Sequence, residues 1–75
     1  MLDSSNLIFA KEIAIKFNIP YPTVNHYTNL GLLNVVKRKG NRRLFDEREV
    51  RLQLQKISSL SSEGYPLRLI CRKLR

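Results

Sequence analysis

Apolar residues recur at intervals of three and four over residues 8–17, the spacing that places them on one face of an α-helix. The residues with this spacing are Phe9 or Ala10, Ile13, Ala14 and Phe17. Asn18, Ile19 and Pro20 follow, and proline both lacks a backbone N–H and pushes the residue before it away from helical angles. The pattern therefore predicts a first helix that ends before Pro20.

The residues after Pro20 favour a second helix, over about residues 21–30. Its apolar face would carry Val24, Tyr27 and either Leu30 or Leu32. Gly31 stands at its end and can adopt the left-handed conformation that often terminates helices. Two short helices joined by a tight turn form a helix-turn-helix. The more polar side of the second helix carries Tyr21, Thr23, Asn25, His26 and Thr28.

The pattern changes again between Val35 and Phe45. Two short apolar ends enclose a polar stretch that contains Gly40 and Asn41. Gly and Asn both tolerate positive φ at the tip of a tight turn. We therefore predict a two-stranded β-hairpin over residues 35–45, called here the wing.

Two further helices are predicted after the wing. Asp46 is a suitable N-cap, and Glu49, three residues later, is suitable as its reciprocal capping partner. The third helix should run to about Ser62, with a buried face comprising Val50, Leu54, Ile57 and Leu60. After a break at residues 63–66, the fourth helix has inward positions at Leu67, Ile70, Cys71 and Leu74. The expected fold is mainly α: a winged helix-turn-helix with two more helices.

The chain is short and strongly basic. Its 75 residues suffice for one domain, residues 1–75, with a small core, and are too few for a large enclosed active site. Fourteen Lys and Arg against six Asp and Glu give a net charge of +8. This charge favours an extended polyanion as partner, above all nucleic acid.

Several other classes of function are disfavoured. One cysteine, Cys71, and one histidine, His26, lie far apart, so there is no zinc-ligand spacing, and neither a metal nor a cofactor is expected. Scattered carboxylates and the lack of a Gly-rich phosphate loop argue against an enzyme. No run approaches the roughly 18 apolar residues of a membrane span. Residues 1–6 also lack the pattern of a secretory signal, so a cytoplasmic, nucleoid-associated protein is expected.

The wing carries the strongest local signal for nucleic-acid binding. It places five cations within seven positions around a flexible tip, which can follow a phosphate backbone or enter the minor groove. A solvated charged loop is the alternative interpretation of such a cluster by itself. Its position directly after a helix-turn-helix favours DNA binding. The five residues are Lys37, Arg38, Lys39, Arg42 and Arg43.

The second helix offers side chains that could read bases, because in helix-turn-helix proteins this helix enters the major groove. Thr23, Asn25 and His26 are short polar residues, and asparagine can pair with the N6/N7 edge of adenine. Ordinary solvent exposure is the alternative for each of them. Tyr27 is expected to lie mainly in the core, and Cys71 to be a buried hydrophobic residue without a further role.

Five segments of the chain, in order, resemble the signatures of a known family, the mercury-resistance regulator (MerR) family. They are Ala10–Ala14 (AKEIA), Ile19–Tyr27 (IPYPTVNHY), Gly31–Leu33 (GLL), Arg43–Phe45 (RLF) and Glu63–Tyr65 (EGY). The resemblance covers about residues 8–74. It implies that the second helix reads DNA through residues 21–27 and that Arg43 or its neighbour Arg42 is the wing arginine. It also implies transcription control in a bacterium or phage.

The chain departs from the family pattern in several places. Asn25-His26 stands where the family usually has Arg-Tyr, and Pro20 occupies a position commonly held by a capping Ser or Thr, as does Pro66. Typical members continue into a long dimerisation helix and an effector domain. We therefore expect either an excised head or a short, head-only relative, with no small-molecule effector evident in this chain. Leu52 and Leu69 lie off the apolar faces of their helices, so they are candidates to contact either the missing helix or a neighbouring protomer in self-association on DNA.

The leading hypothesis is a sequence-specific transcription regulator of duplex DNA, or the DNA-binding head of one. An architectural DNA binder, such as an excisionase or another recombination directionality factor, is the alternative. An RNA-binding module is an alternative of another class, although the narrow major groove of duplex RNA excludes a reading helix. The predicted DNA contacts are Lys11, Tyr21, Thr23, Asn25, His26, Tyr27, Lys37, Arg38, Lys39, Arg42 and Arg43.

Overall fold

A computed structural model describes residues 6–74, which form three short strands and four helices. The elements are β1 (Leu7–Phe9), α1 (Ala10–Lys16), α2 (Tyr21–Asn29), β2 (Val35–Lys39), β3 (Arg42–Asp46), α3 (Glu47–Ser62) and α4 (Leu67–Leu74). Residues 1–5, most of the segment that lacks the pattern of a secretory signal, lie outside the described residues. Within residues 6–74, no helix combines the length and the apolar character needed to cross a membrane.

The described sheet has three strands, in the order β1-β3-β2. β1 pairs antiparallel with β3, and Ile8 lies opposite Phe45. The prediction that the first helix includes residues 8 and 9 is wrong, because both are extended and α1 begins at Ala10. Without β1, one edge of β3 would leave its backbone N–H and C=O groups unpaired. The apolar segment Leu7–Phe9 therefore completes the sheet and buries Ile8.

The predicted wing is confirmed as the antiparallel pair β2 and β3. Gly40 at its tip has a φ of 63°, whereas Asn41 does not adopt positive φ, so only the glycine uses the left-handed region. The register shifts between Val35 and Lys37, an irregularity that increases the local twist of the hairpin.

A tight turn joins α1 to α2. Asn18 adopts a φ of 55°, and the Ile19 N–H donates to the Ala14 carbonyl at 3.0 Å, which satisfies an acceptor at the end of α1. Pro20 is the N-cap of α2 and cannot provide a side-chain hydrogen bond. At the other end of α2, Gly31 has a φ of 83°. The predicted helix-turn-helix, and its end at this glycine, are confirmed.

The start of α3 differs in one detail from the capping box that was predicted. Asp46 is the N-cap, and its carboxylate accepts from the Arg48 N–H at 3.0 Å. Glu49 does not bond back to Asp46; its carboxylate accepts from the Asn34 side-chain amide at 2.8 Å. The Glu49 carboxylate thus links the segment before the wing to α3. Its partner Asn34 is 15 residues away in sequence, so local spacing could not reveal this contact.

Two adjoining hydrophobic clusters hold α2 in place. The first, between the sheet, α1, α2 and α3, consists of Ile8, Ala10, Ile13, Val24, Leu33, Phe45 and Val50. The second, between the end of α2, α3 and α4, consists of Leu32, Ile57, Ile70 and Cys71. Tyr27 and Leu54 pack against both clusters. Because α2 is packed from both sides, its direction relative to the wing and to α4 is set by the core.

Candidate nucleic-acid interface

A groove of about 640 Å³ separates α2 from the wing. On the α2 side it is lined by Tyr21, Asn25 and Asn29, which are four residues apart and therefore share one helical face. The remaining lining residues, from the start of α1 and from the wing, are Phe9, Ala10, Lys11, Asn41, Arg42 and Arg43. The groove brings together five of the predicted contact residues: Lys11, Tyr21, Asn25, Arg42 and Arg43.

Arg42 is held in this groove by an aromatic ring. Its Cζ atom lies 3.7 Å from the centroid of the Phe9 ring, well within the range of a cation–π contact. The edges of a guanidinium that stacks in this way remain able to donate hydrogen bonds. Arg42 is therefore both anchored and able to bind an anion.

The five basic residues of the wing do not form one surface. Lys39 lies opposite Arg42, and Arg38 lies opposite Arg43. Because opposed side chains share a face of a sheet while neighbours along a strand alternate, Lys39 joins Arg42 on one face and Arg38 joins Arg43 on the other. Lys37, Arg38 and Lys39 are exposed on the outer strand β2 and do not line the groove.

A second groove, of about 560 Å³, lies on another side of α2, against α4. His26 and Asn29 line it from α2, and Arg68 and Arg72 line it from α4. Arg68 and Arg72 are one helical turn apart and are both exposed. Asn29 borders both grooves, so the face of α2 between them is flanked by arginines on two sides.

Within α2, two predicted contact residues line neither groove. Thr23 is half-buried in the first turn of α2, and Tyr27 packs against both hydrophobic clusters, in agreement with the expectation that it is mainly a core residue. Thr28 is committed locally, because its hydroxyl donates to the Val24 carbonyl at 2.8 Å. The α2 residues that line the grooves with an amide or imidazole side chain are thus Asn25, Asn29 and His26.

Several lining residues were absent from the predicted set, and those with an amide or guanidinium side chain are Asn29, Asn41, Arg68 and Arg72. Asn29 could have been found, since it lies four positions after Asn25 on the same helix. Asn41 is the second residue of the wing tip. Arg68 and Arg72 could not have been found from local spacing, because only the packing of α4 places them beside α2.

Glu12 and Glu47 have partners of their own and lie outside the two grooves. Glu12 accepts from the Phe9 N–H at 3.0 Å, and Glu47 pairs with Lys16, whose ammonium group lowers the pKa of Glu47 chiefly through their hydrogen bond. No acidic side chain of residues 6–74 lines either groove. The two grooves therefore present uncompensated positive charge on both sides of α2.

Comparison with known proteins agrees with this geometry. The family model described as MerR HTH family regulatory protein matches residues 10–75, nearly the whole chain. No curated protein and no solved structure gives a significant match. The match confirms the resemblance seen in the sequence, and the helices, wing and sheet fit a winged helix-turn-helix. The chain belongs to the MerR family of helix-turn-helix regulators, and its domain is a DNA-binding domain of a transcription regulator.

Proposed function

We propose that this domain binds duplex DNA sequence-specifically, with α2 in the major groove and the wing on the adjacent backbone or minor groove. The observation that carries the proposal is the position of α2. Its Tyr21–Asn25–Asn29 face opens onto a groove that also contains Arg42 and Arg43. A polar helix face beside cations suits base edges that are bordered by phosphates.

Asn25 and Asn29 are the proposed base-reading residues. Four residues of α-helix rise about 6 Å, close to two base-pair steps of about 3.4 Å. Each side-chain amide carries a donor and an acceptor, the combination that matches the N6/N7 edge of adenine. The two asparagines could therefore contact separate base pairs, whereas in the family pattern an arginine usually stands at the position of Asn25.

Phosphate contacts are proposed on both sides of α2. On the wing side of α2, the proposed contacts are made by Lys11, Arg42 and Arg43. On the α4 side, they are made by Arg68 and Arg72. Phosphate contacts position a protein on DNA without reading sequence. Lys37, Arg38 and Lys39 would reach the backbone beyond the groove, where the exposed hairpin extends. Tyr21, Thr23, His26 and Tyr27 complete the predicted contact set.

Further proposals concern assembly and mode of action. Residues 1–75 are proposed to act as one domain. Leu52 and Leu69 are 57% and 39% exposed, which agrees with their position off the apolar helix faces, and self-association on DNA through them stays a prediction. An architectural role, in which the same surface bends DNA, remains the second candidate function because it would use the same cations.

The test is selection of bound duplexes from a random DNA pool, followed by titration of the selected duplex and a scrambled duplex at two salt concentrations. A sequence-specific regulator should prefer the selected duplex by at least about a thousandfold. Equal, salt-sensitive binding to both duplexes would instead support the architectural role. Binding to an RNA duplex as tight as to DNA would support the RNA-binding alternative.

Asn25→Ala adds a residue-level test of base reading. The variant should weaken binding to the selected duplex by about 1–3 kcal/mol and leave binding to scrambled DNA nearly unchanged. Gln55→Ala, an amide truncation at an exposed position of α3, is the matched control. Equal losses on both duplexes would contradict base reading by Asn25.

A further inference from the structure

Phe9 is an unusual residue for the position that it occupies. It is the N-cap of α1, where Ser, Thr, Asp or Asn normally provides a side-chain oxygen for a free backbone N–H. A phenyl ring cannot do this, and no side-chain capping bond is present. The carboxylate of Glu12 instead accepts from the Phe9 N–H at 3.0 Å. Phe9 therefore occupies a capping position with a side chain that does not cap.

The Phe9 ring also takes little part in the core. The half-buried hydrophobic side chains that pack against the two clusters include Phe17, Tyr27 and Leu54, but they do not include Phe9. The ring instead lines the groove beside α2, where it lies under the guanidinium of Arg42. Its principal contact with a charged group is thus with a residue proposed to bind phosphate.

The sheet register makes this contact possible. Phe9 on β1 lies opposite Leu44 on β3, and Arg42 is two residues before Leu44. Residues two apart on a strand share a face, so Phe9 and Arg42 are diagonal neighbours on the same side of the sheet. An arginine next to a hairpin tip would otherwise sample many rotamers, and ordering it on binding would cost free energy.

We propose that Phe9 is a positioning residue, which holds the Arg42 guanidinium beside α2 in the free protein so that it meets a DNA phosphate without reordering. This inference rests on the proposed DNA-binding mode. The ring supports the planar face of the guanidinium, and the N–H groups at its edges donate to the phosphate oxygens. Phe9 itself need not touch DNA.

The central test is a double-mutant cycle between Phe9 and Arg42, measured as affinity for the selected duplex. Phe9→Leu keeps an apolar side chain and removes the π face; it should weaken binding about 2- to 5-fold, the range of an exposed cation–π contact. Phe9→Tyr keeps the ring and should bind like wild type. In the Arg42→Gln background, Phe9→Leu should have no further effect.

Arg43→Gln provides the matched background. It removes the neighbouring charge and leaves the Phe9–Arg42 pair intact, so Phe9→Leu should still weaken binding about 2- to 5-fold there. Equal effects of Phe9→Leu in the Arg42→Gln and Arg43→Gln backgrounds would overturn the proposal. Unchanged affinity of Phe9→Leu in the wild-type background would overturn it as well.

A measurement without DNA separates this inference from the proposed function. In the free domain, the NMR signals of the Arg42 Nε–H and δ-methylene groups should be shifted by the ring current of Phe9, and the shift should vanish in Phe9→Leu but persist in Phe9→Tyr. Absence of the shift in wild type overturns the positioning role. A normal shift together with failure of the wild-type domain to bind duplex DNA overturns the proposed function and, with it, the role of this contact in binding.

Discussion

Replacing both arginines of α4 tests whether DNA is held on two sides of α2, the proposed reading helix. Arg68 and Arg72 are exposed and line the groove against α2, together with His26. Substitution of both by glutamine removes two charges and keeps polar side chains of similar length. Because the two side chains are exposed, the melting temperature of the free domain should hardly change.

The expected effect follows from the number of phosphate contacts that the variant loses, because each contact releases counterions when DNA binds. Each neutralised phosphate contributes about −0.9 to the slope of log K against log salt, so losing two contacts makes the slope shallower by about 1.8. Over a fourfold rise in salt concentration, wild type should then lose about 12-fold more affinity than the Arg68→Gln/Arg72→Gln variant. The loss at low salt should be nearly equal for the selected and scrambled duplexes, since phosphate contacts carry no base information.

Fluorescence anisotropy at several salt concentrations measures both the affinity and the slope. The matched control is Arg48→Gln/Lys56→Gln, which removes the same charge from exposed positions of α3 that line neither groove. The control should change the slope much less, because charges that do not contact phosphate act only through the screened long-range field. An unchanged slope in the α4 variant, or equal changes in the two variants, would refute a phosphate contact by α4.

Two further predictions concern stability. Val24 is 0% exposed, so Val24→Ala should lower the free energy of unfolding by about 2 kcal/mol. For a domain of this size, this loss lowers the melting temperature by about 8–16 °C. The control Ile15→Ala, at an 82% exposed site, should change the melting temperature little. Similar melting temperatures for the two variants would contradict the packing of α2. Lys16 lowers the pKa of Glu47 in the folded protein. The pair therefore stabilises the fold at pH values above the ordinary carboxyl pKa of about 4.3, and this stabilisation is lost as the pH falls through the lower pKa of the folded state. The small advantage in melting temperature over Glu47→Gln should therefore be present at neutral pH and vanish in acid, and an advantage that survives in acid would show that Glu47 acts otherwise.

Local pattern was sufficient for most of the elements. Helical spacing predicted α2, α3 and α4, because each of these helices buries one face. A breaker after the helix also predicted the ends of α2 and α3. Gly40 and the flanking apolar pairs predicted the wing. The first helix was predicted to begin too early, since Ile8 and Phe9 satisfy a helical period as well as they satisfy a strand. Only β3, more than thirty residues later in the chain, provides the hydrogen bonds that make them extended.

The proposed binding surface, like the fold, could be predicted from the sequence only in part. Composition and spacing along the chain determined by themselves that the protein is basic, that α2 carries polar residues opposite an apolar face, and that the wing is rich in cations. Tertiary structure alone decided which basic residues lie beside α2. Arg42 is held there by Phe9 from another strand, and Arg68 and Arg72 are placed there by the packing of α4. The physical reason is that helical and strand periods are local properties of the backbone, whereas the neighbours of a charged side chain depend on how distant segments pack.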